Sequence, residues 1–181
     1  MEFPPRDVRE VVSKIAEILR QRNQTLAVSE AACGGLLSAY LVSVPGASDF
    51  YIGGKLVYSL RQRLKLSGWS DSEISTYTGP SEQVALKLAR TTKYELGSTY
   101  VLSETGFAGP TTNLHLETER SRESSNTDVE VGVVYLGLYG PSGELSTNYH
   151  THNTDRAENM VEFARLGLQF LLKSLQEQSA A

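Results

Sequence analysis

Apolar residues recur at intervals of three and four between Asp7 and Gln21, at Val8, Val11, Val12, Ile15, Ile18 and Leu19. That spacing gathers them on one face of an α-helix. Thr25 to Val28 is a short apolar run of strand length, and Gly34-Gly35 opens a second helix from Leu36 to Val44, which Pro45-Gly46 ends. Tyr51 to Ser59 predicts a second strand with a bulge at Gly53-Gly54, followed by a short basic helix or turn over Leu60 to Leu66. Asp71 to Tyr77 predicts a short helix, and Pro80-Ser81-Glu82 starts a longer one that runs to Leu96 and stops at Gly97. Thr99 to Ser103 is a third strand, with the glycine-rich turn 105–110 at its carboxyl end. Residues 111–130 are polar and aperiodic, which predicts a long loop. Val131 to Tyr139 and Leu145 to His150 form a hairpin across 140–143. Thr154-Asp155 caps a terminal helix whose stripe includes Met160, Val161, Phe163, Ala164, Leu168, Leu171 and Leu175. Strands alternating with helices predict an α/β fold, in which ligands collect at the carboxyl ends of the strands.

Composition narrows the class. The 181 residues predict one domain spanning 1–181, and 40% hydrophobic with 21% charged residues is ordinary for a globular chain. A formal charge of -4 argues against a nucleic-acid partner, because such domains carry a basic stripe to displace counterions. The start lacks the basic and apolar segments of a secretory signal, and no stretch has the length of a membrane span. One cysteine, Cys33, forms no internal disulfide. The expectation is a cytoplasmic protein without a membrane or nucleic-acid partner.

Chemistry concentrates at two glycine turns. Amides at the start of a helix after Gly34-Gly35 can hold an anion, and Cys33 beside them would have its thiol pKa lowered; the alternative is that Cys33 is a small buried hydrophobe. Glu30 at a strand end either meets a ligand or caps its own turn. Tyr58-Ser59 precedes Arg61, Arg63 and Lys65, where a phenol could shuttle a proton or simply belong to a strand before a solvated basic run. His150 and His152 lack a third ligand, and His115 lies in the polar loop, so no metal is expected. No serine triad, phosphate loop or dinucleotide fingerprint occurs, and no cofactor is expected.

In order along the chain, Ser29-Glu30 through Gly34-Gly35, Val57-Tyr58-Ser59, Gly79-Pro80-Ser81-Glu82, Thr105-Gly106-Phe107-Ala108-Gly109-Pro110, Val131-Gly132-Val133-Val134-Tyr135 and Asp155-Arg156 resemble the C-terminal domain of CinA, the nicotinamide mononucleotide deamidase family. The resemblance implies a compact three-layer domain with helices on a central mixed sheet, a homodimer, and a pocket between the two glycine turns. It also implies ammonia release from a carboxamide by a serine nucleophile assisted by a lysine and a tyrosine. The family elbow reads Glu-Ser-Cys-Thr-Gly-Gly, whereas this chain has Glu30-Ala31-Ala32-Cys33-Gly34-Gly35, so Ala31 stands at the nucleophile position. Arg63 stands at the lysine position and stays protonated, and Tyr58 alone matches that trio. Glu104 replaces a residue that is more often small or apolar.

Three functions follow. The first is a small-molecule enzyme with redirected acid–base chemistry, such as isomerisation, cyclisation or condensation, carried by Glu30, Tyr58 and Glu104 around one cavity. The second is a non-catalytic ligand-binding module, and the third is residual amide hydrolysis by Cys33. In each, Ala31, Gly34, Gly35, Ser59, Arg63, Thr105, Gly106, Ala108, Gly109, Pro110 and Arg156 surround a small, anionic ligand.

Overall fold

The computed structural model describes residues 2–114 and 130–178, so most of the 111–130 loop and His115 lie outside the described residues. The chain runs α1 (Arg6–Gln21), β1 (Leu26–Glu30), α2 (Leu36–Val42), a 3-10 turn at Ala47–Asp49, β2 (Tyr51–Leu56), α3 (Leu60–Leu66), α4 (Asp71–Ser75), α5 (Glu82–Leu96), β3 (Tyr100–Gly106), β4 (Val133–Gly140), β5 (Gly143–His150) and α6 (Arg156–Glu177). The strands form one sheet in the order β2-β1-β3-β4-β5, parallel across β2, β1 and β3 and antiparallel across β3, β4 and β5.

Alternation along the strands separates two faces. Leu26 and Val28 of β1, Tyr100 and Leu102 of β3, and Val134, Leu136 and Leu138 of β4 turn to the main core, where α1, α2 and α6 bring Val12, Ile15, Leu37, Phe163 and Leu168. The opposite face carries small residues, Ala27, Val101 and Ser103, and α5 lies directly on it through Ala85 and Ala89. The approach is close enough that the Ser103 hydroxyl donates to the Ala85 carbonyl at 2.5 Å. A Cβ at Gly137 would sit 2.7 Å from Ser103 Oγ and 2.8 Å from the Ala85 backbone. Helices on both faces of one mixed sheet make the expected three-layer α/β domain.

The ends of three strands differ from the sequence expectation. β1 continues through Ser29 and Glu30 because they pair with Lys55 and Leu56 of β2, and β3 continues to Gly106 because Thr105 and Gly106 pair with Tyr135 and Val134. These polar residues stay in strands because the ladder satisfies their backbones. β2 stops at Leu56 rather than Ser59, and its bulge falls one residue before the predicted Gly53-Gly54: Leu26 faces Tyr51 and Ala27 faces Gly53, which leaves Ile52 extra. A Cβ at Gly54 would stand 2.6 Å from Val28 Cγ2, so the edge strand can approach β1 only as glycine. Asp155 caps α6 by accepting from the Glu158 amide at 2.8 Å, as its sequence predicts.

Candidate functional site

The carboxyl ends of β1 and β3 lie side by side, which brings the turn 31–35 next to the turn 106–110. Between them and α3 opens a cavity of about 490 Å³, within the range of small-molecule sites. Ala31, Tyr58, Ser59, Arg63, Thr105, Gly106, Ala108, Gly109, Pro110 and Arg156, all expected from the sequence, line it. Tyr77, Pro80, Phe107 and Leu114 also line it; Pro80 and Phe107 lie within the motifs 79–82 and 105–110 but are not among the expected site residues, and the sequence offers only the end of a short helix for Tyr77.

Glu30, Cys33, Gly34, Gly35 and Glu104 do not reach the cavity lining, which corrects the expectation of two carboxylates and a phenol around one space beside the Gly34-Gly35 turn. Glu30 ends β1 fully buried and caps α2. Its Oε2 accepts from the Gly35 and Leu37 amides, each at 3.0 Å, and its Oε1 from the Ser38 amide at 2.9 Å and the Ser38 hydroxyl at 2.5 Å. The same bonds occupy the helix start, so the amides beyond Gly34-Gly35 hold a side chain of this protein instead of an external anion. Of the two readings of Glu30, this geometry is the cap.

Glu104 projects from β3 beneath the elbow. Its Oε1 accepts from the Ala31 amide at 2.5 Å and the Cys33 amide at 2.8 Å, while its buried Oε2 has no hydrogen-bond partner. Burial raises its pKa, against the two amides and the positive charge of Arg63, which lower it. Cys33 is buried too, and its thiol pKa is raised well above the ordinary value by desolvation first and then by the charges of Glu104 and Glu30. The expected lowering is therefore reversed, because α2 spends its positive end on Glu30 and the thiol faces two carboxylates.

The cavity itself is basic. Arg61, Arg63 and Arg156 line it, and no acidic side chain does among the described residues. Arg156, the first residue of α6, donates to the Gly109 carbonyl and to the Tyr58 hydroxyl, so the phenol at the elbow is tied to α6. Arg63 on α3 donates through Nη2 to Thr105 Oγ1 at 3.4 Å, and its buried Nε has no partner. Among the described residues the buried Tyr77 hydroxyl likewise has no partner at full hydrogen-bonding distance; burial pushes its pKa up to about 12, although the charge of Arg63 and a weak hydrogen-bond interaction with its guanidinium draw it down. Each unsatisfied buried polar group costs about 1–3 kcal/mol, so two on one wall are costs that a hydrogen-bonding partner there would offset. Among the described residues no cluster of three or more histidine, cysteine or acidic side chains could hold a metal. Nor is any helix among them long and apolar enough to cross a membrane.

The fold and the cavity between two glycine turns define a three-layer α/β domain type, and comparison with known proteins places it. The family model of the CinA C-terminal domain matches residues 8–175. The chain is 32% identical over 152 residues to a CinA-like protein of Nostoc punctiforme, covering 83% of this chain and 33% of that protein. It is 31% identical over 161 residues to a CinA-like protein of Salinibacter ruber, covering 89% of this chain and 36% of that one. The chain thus spans about a third of the length of these relatives. The crystal structure of the competence/damage inducible protein CihA from Agrobacterium tumefaciens superposes with TM-score 0.80 at 22% identity, over 97% of this chain and 99% of that one. A CinA superfamily protein from Escherichia coli gives 0.78 at 19% identity, over 95% and 93%. The chain belongs to the CinA C-terminal domain family.

Proposed function

We propose that this domain binds an anionic small molecule in the elbow cavity and does not hydrolyse it. The observation that carries this reading is the lining: three arginines, no acid among the described residues, and an alanine, Ala31, where the family pattern places serine. A methyl group cannot attack a carbonyl, and a guanidinium at position 63 cannot take a proton. Redirected acid–base chemistry loses two of its three groups, because Glu30 and Glu104 are engaged with backbone amides outside the cavity. Hydrolysis by Cys33 loses its nucleophile to burial, which keeps the thiol protonated.

The test uses nicotinamide mononucleotide, the substrate that the family resemblance suggests. Purified protein is incubated with it while ammonia is measured, and binding is followed separately by calorimetry. The expected outcome is binding heat without ammonia. Ammonia release by the natural protein overturns the reading.

A further inference from the structure

The inner wall of the cavity carries donors of one kind. Among the described residues Arg63 Nε and Tyr77 Oη are buried with no partner at full hydrogen-bonding distance, although the Arg63 guanidinium faces the phenol oxygen, which leaves the phenol hydrogen free to donate; Thr105 Oγ1 accepts from Arg63 Nη2, which leaves the threonine hydrogen free as well. All three residues line the cavity, and Arg63 makes no ion pair among the described residues. We propose that this wall is a carboxylate-binding subsite, in which Arg63 and Tyr77 grip the oxygens of a ligand carboxylate beside the Thr105 hydroxyl. The inference rests on the reading of the cavity as an anion-binding site and names the group that enters first.

The choice of carboxylate follows from charge and shape. A guanidinium offers parallel N–H donors in one plane, which match two coplanar oxygens. A neutral carboxamide would bring its own NH2 against that row of donors, leaving one of them unsatisfied. Tyr77 stays a neutral donor at physiological pH, because burial holds its pKa at about 12. A phosphate dianion fits this wall less well, since one guanidinium balances one charge. Arg61 lies elsewhere on the lining and is available to a second anionic group of the same molecule, whereas Arg156 is already engaged by Gly109 and Tyr58.

The experiment is a matched pair. Nicotinate mononucleotide and nicotinamide mononucleotide share a phosphate and a ribose and differ only in carboxylate against carboxamide. Calorimetric titration of each into the protein, at pH 7, reads the subsite as an affinity ratio. The acid is expected to bind roughly 10–100-fold more tightly, the range of a charge-assisted hydrogen-bonded contact. Arg63→Gln should bring the ratio close to one chiefly by weakening the acid, and Tyr77→Phe should lower it by roughly 5–10-fold, with melting temperatures confirming that both variants fold. Equal affinities for acid and amide, a ratio unmoved by Arg63→Gln, or binding of neither compound overturns the subsite. Ammonia release from the amide, measured in the same samples, tests the non-hydrolytic reading separately: equal binding without ammonia removes the carboxylate subsite alone, and ammonia with a retained acid preference removes the non-hydrolytic reading alone.

Discussion

Glu104 is the residue whose chemistry departs furthest from its place in the sequence. A glutamate in the middle of a buried strand costs desolvation, and its pKa is raised from the usual 4.5 because burial outweighs the Ala31 and Cys33 amides and the charge of Arg63. A carboxyl with a raised folded pKa gives stability that is full below the unfolded value and lost as pH rises through the folded value. The wild-type protein should therefore lose stability relative to Glu104→Gln as the pH is raised from about 4.5 toward neutrality, because glutamine keeps an acceptor for both amides and carries no charge. Urea unfolding midpoints of the two proteins across that range check this. Parallel pH profiles would show that the carboxyl titrates alike in folded and unfolded chains. Glu30 differs in kind: four donors already surround its oxygens, so its burial is matched by helix-capping bonds.

Between elements, the closest fit is α5 on the sheet. Ala85 and Ala89 meet Ala27, Val101, Ser103 and Gly137, so there is no layer of large side chains to absorb a change. Gly137→Ala should destabilise the domain by roughly 1–3 kcal/mol, because its methyl meets the Ser103 hydroxyl and also the Ala85 backbone, which cannot swing aside. In a chain of this size that lowers the melting temperature by about 2–4 °C per kcal/mol, measurable by thermal denaturation; an unchanged melt would mean that α5 can lift without penalty. The helices were legible because α1 and α6 repeat their apolar residues at helical spacing and Asp155 is a readable cap. Strand ends were not, since Ser29, Glu30, Thr105 and Gly106 are held by neighbours distant in sequence. The same holds for the site. The two glycine turns and Arg63 could be found by motif, but the partners of Glu104 lie 71 and 73 residues away, and Tyr77 has no local signature.

At the scale of the whole molecule, the frame and the chemistry are separable. The layers and the mixed sheet are shared with the family's solved structures, while in the proposed reading Ala31, Arg63 and Glu104 set what the two glycine turns can do. Restoring the residues expected at two of these positions is therefore a test of the third. Attack on a carboxamide needs amide donors for the oxygen that becomes negative, and the Ala31 and Cys33 amides at the elbow both point to Glu104 Oε1. The double variant Ala31→Ser, Arg63→Lys supplies a nucleophile and a base but leaves those donors occupied by a carboxylate that also repels the developing charge. It should release no ammonia from nicotinamide mononucleotide, although it folds. Adding Glu104→Val removes the internal acceptor and opens room beside residue 31, so the triple variant should be the first to show release. Ammonia from the double variant alone would mean that Glu104 is a structural brace with no bearing on the chemistry of the elbow; release confined to the triple variant would make the buried carboxylate, as much as the missing serine, the reason this cavity holds its ligand unchanged.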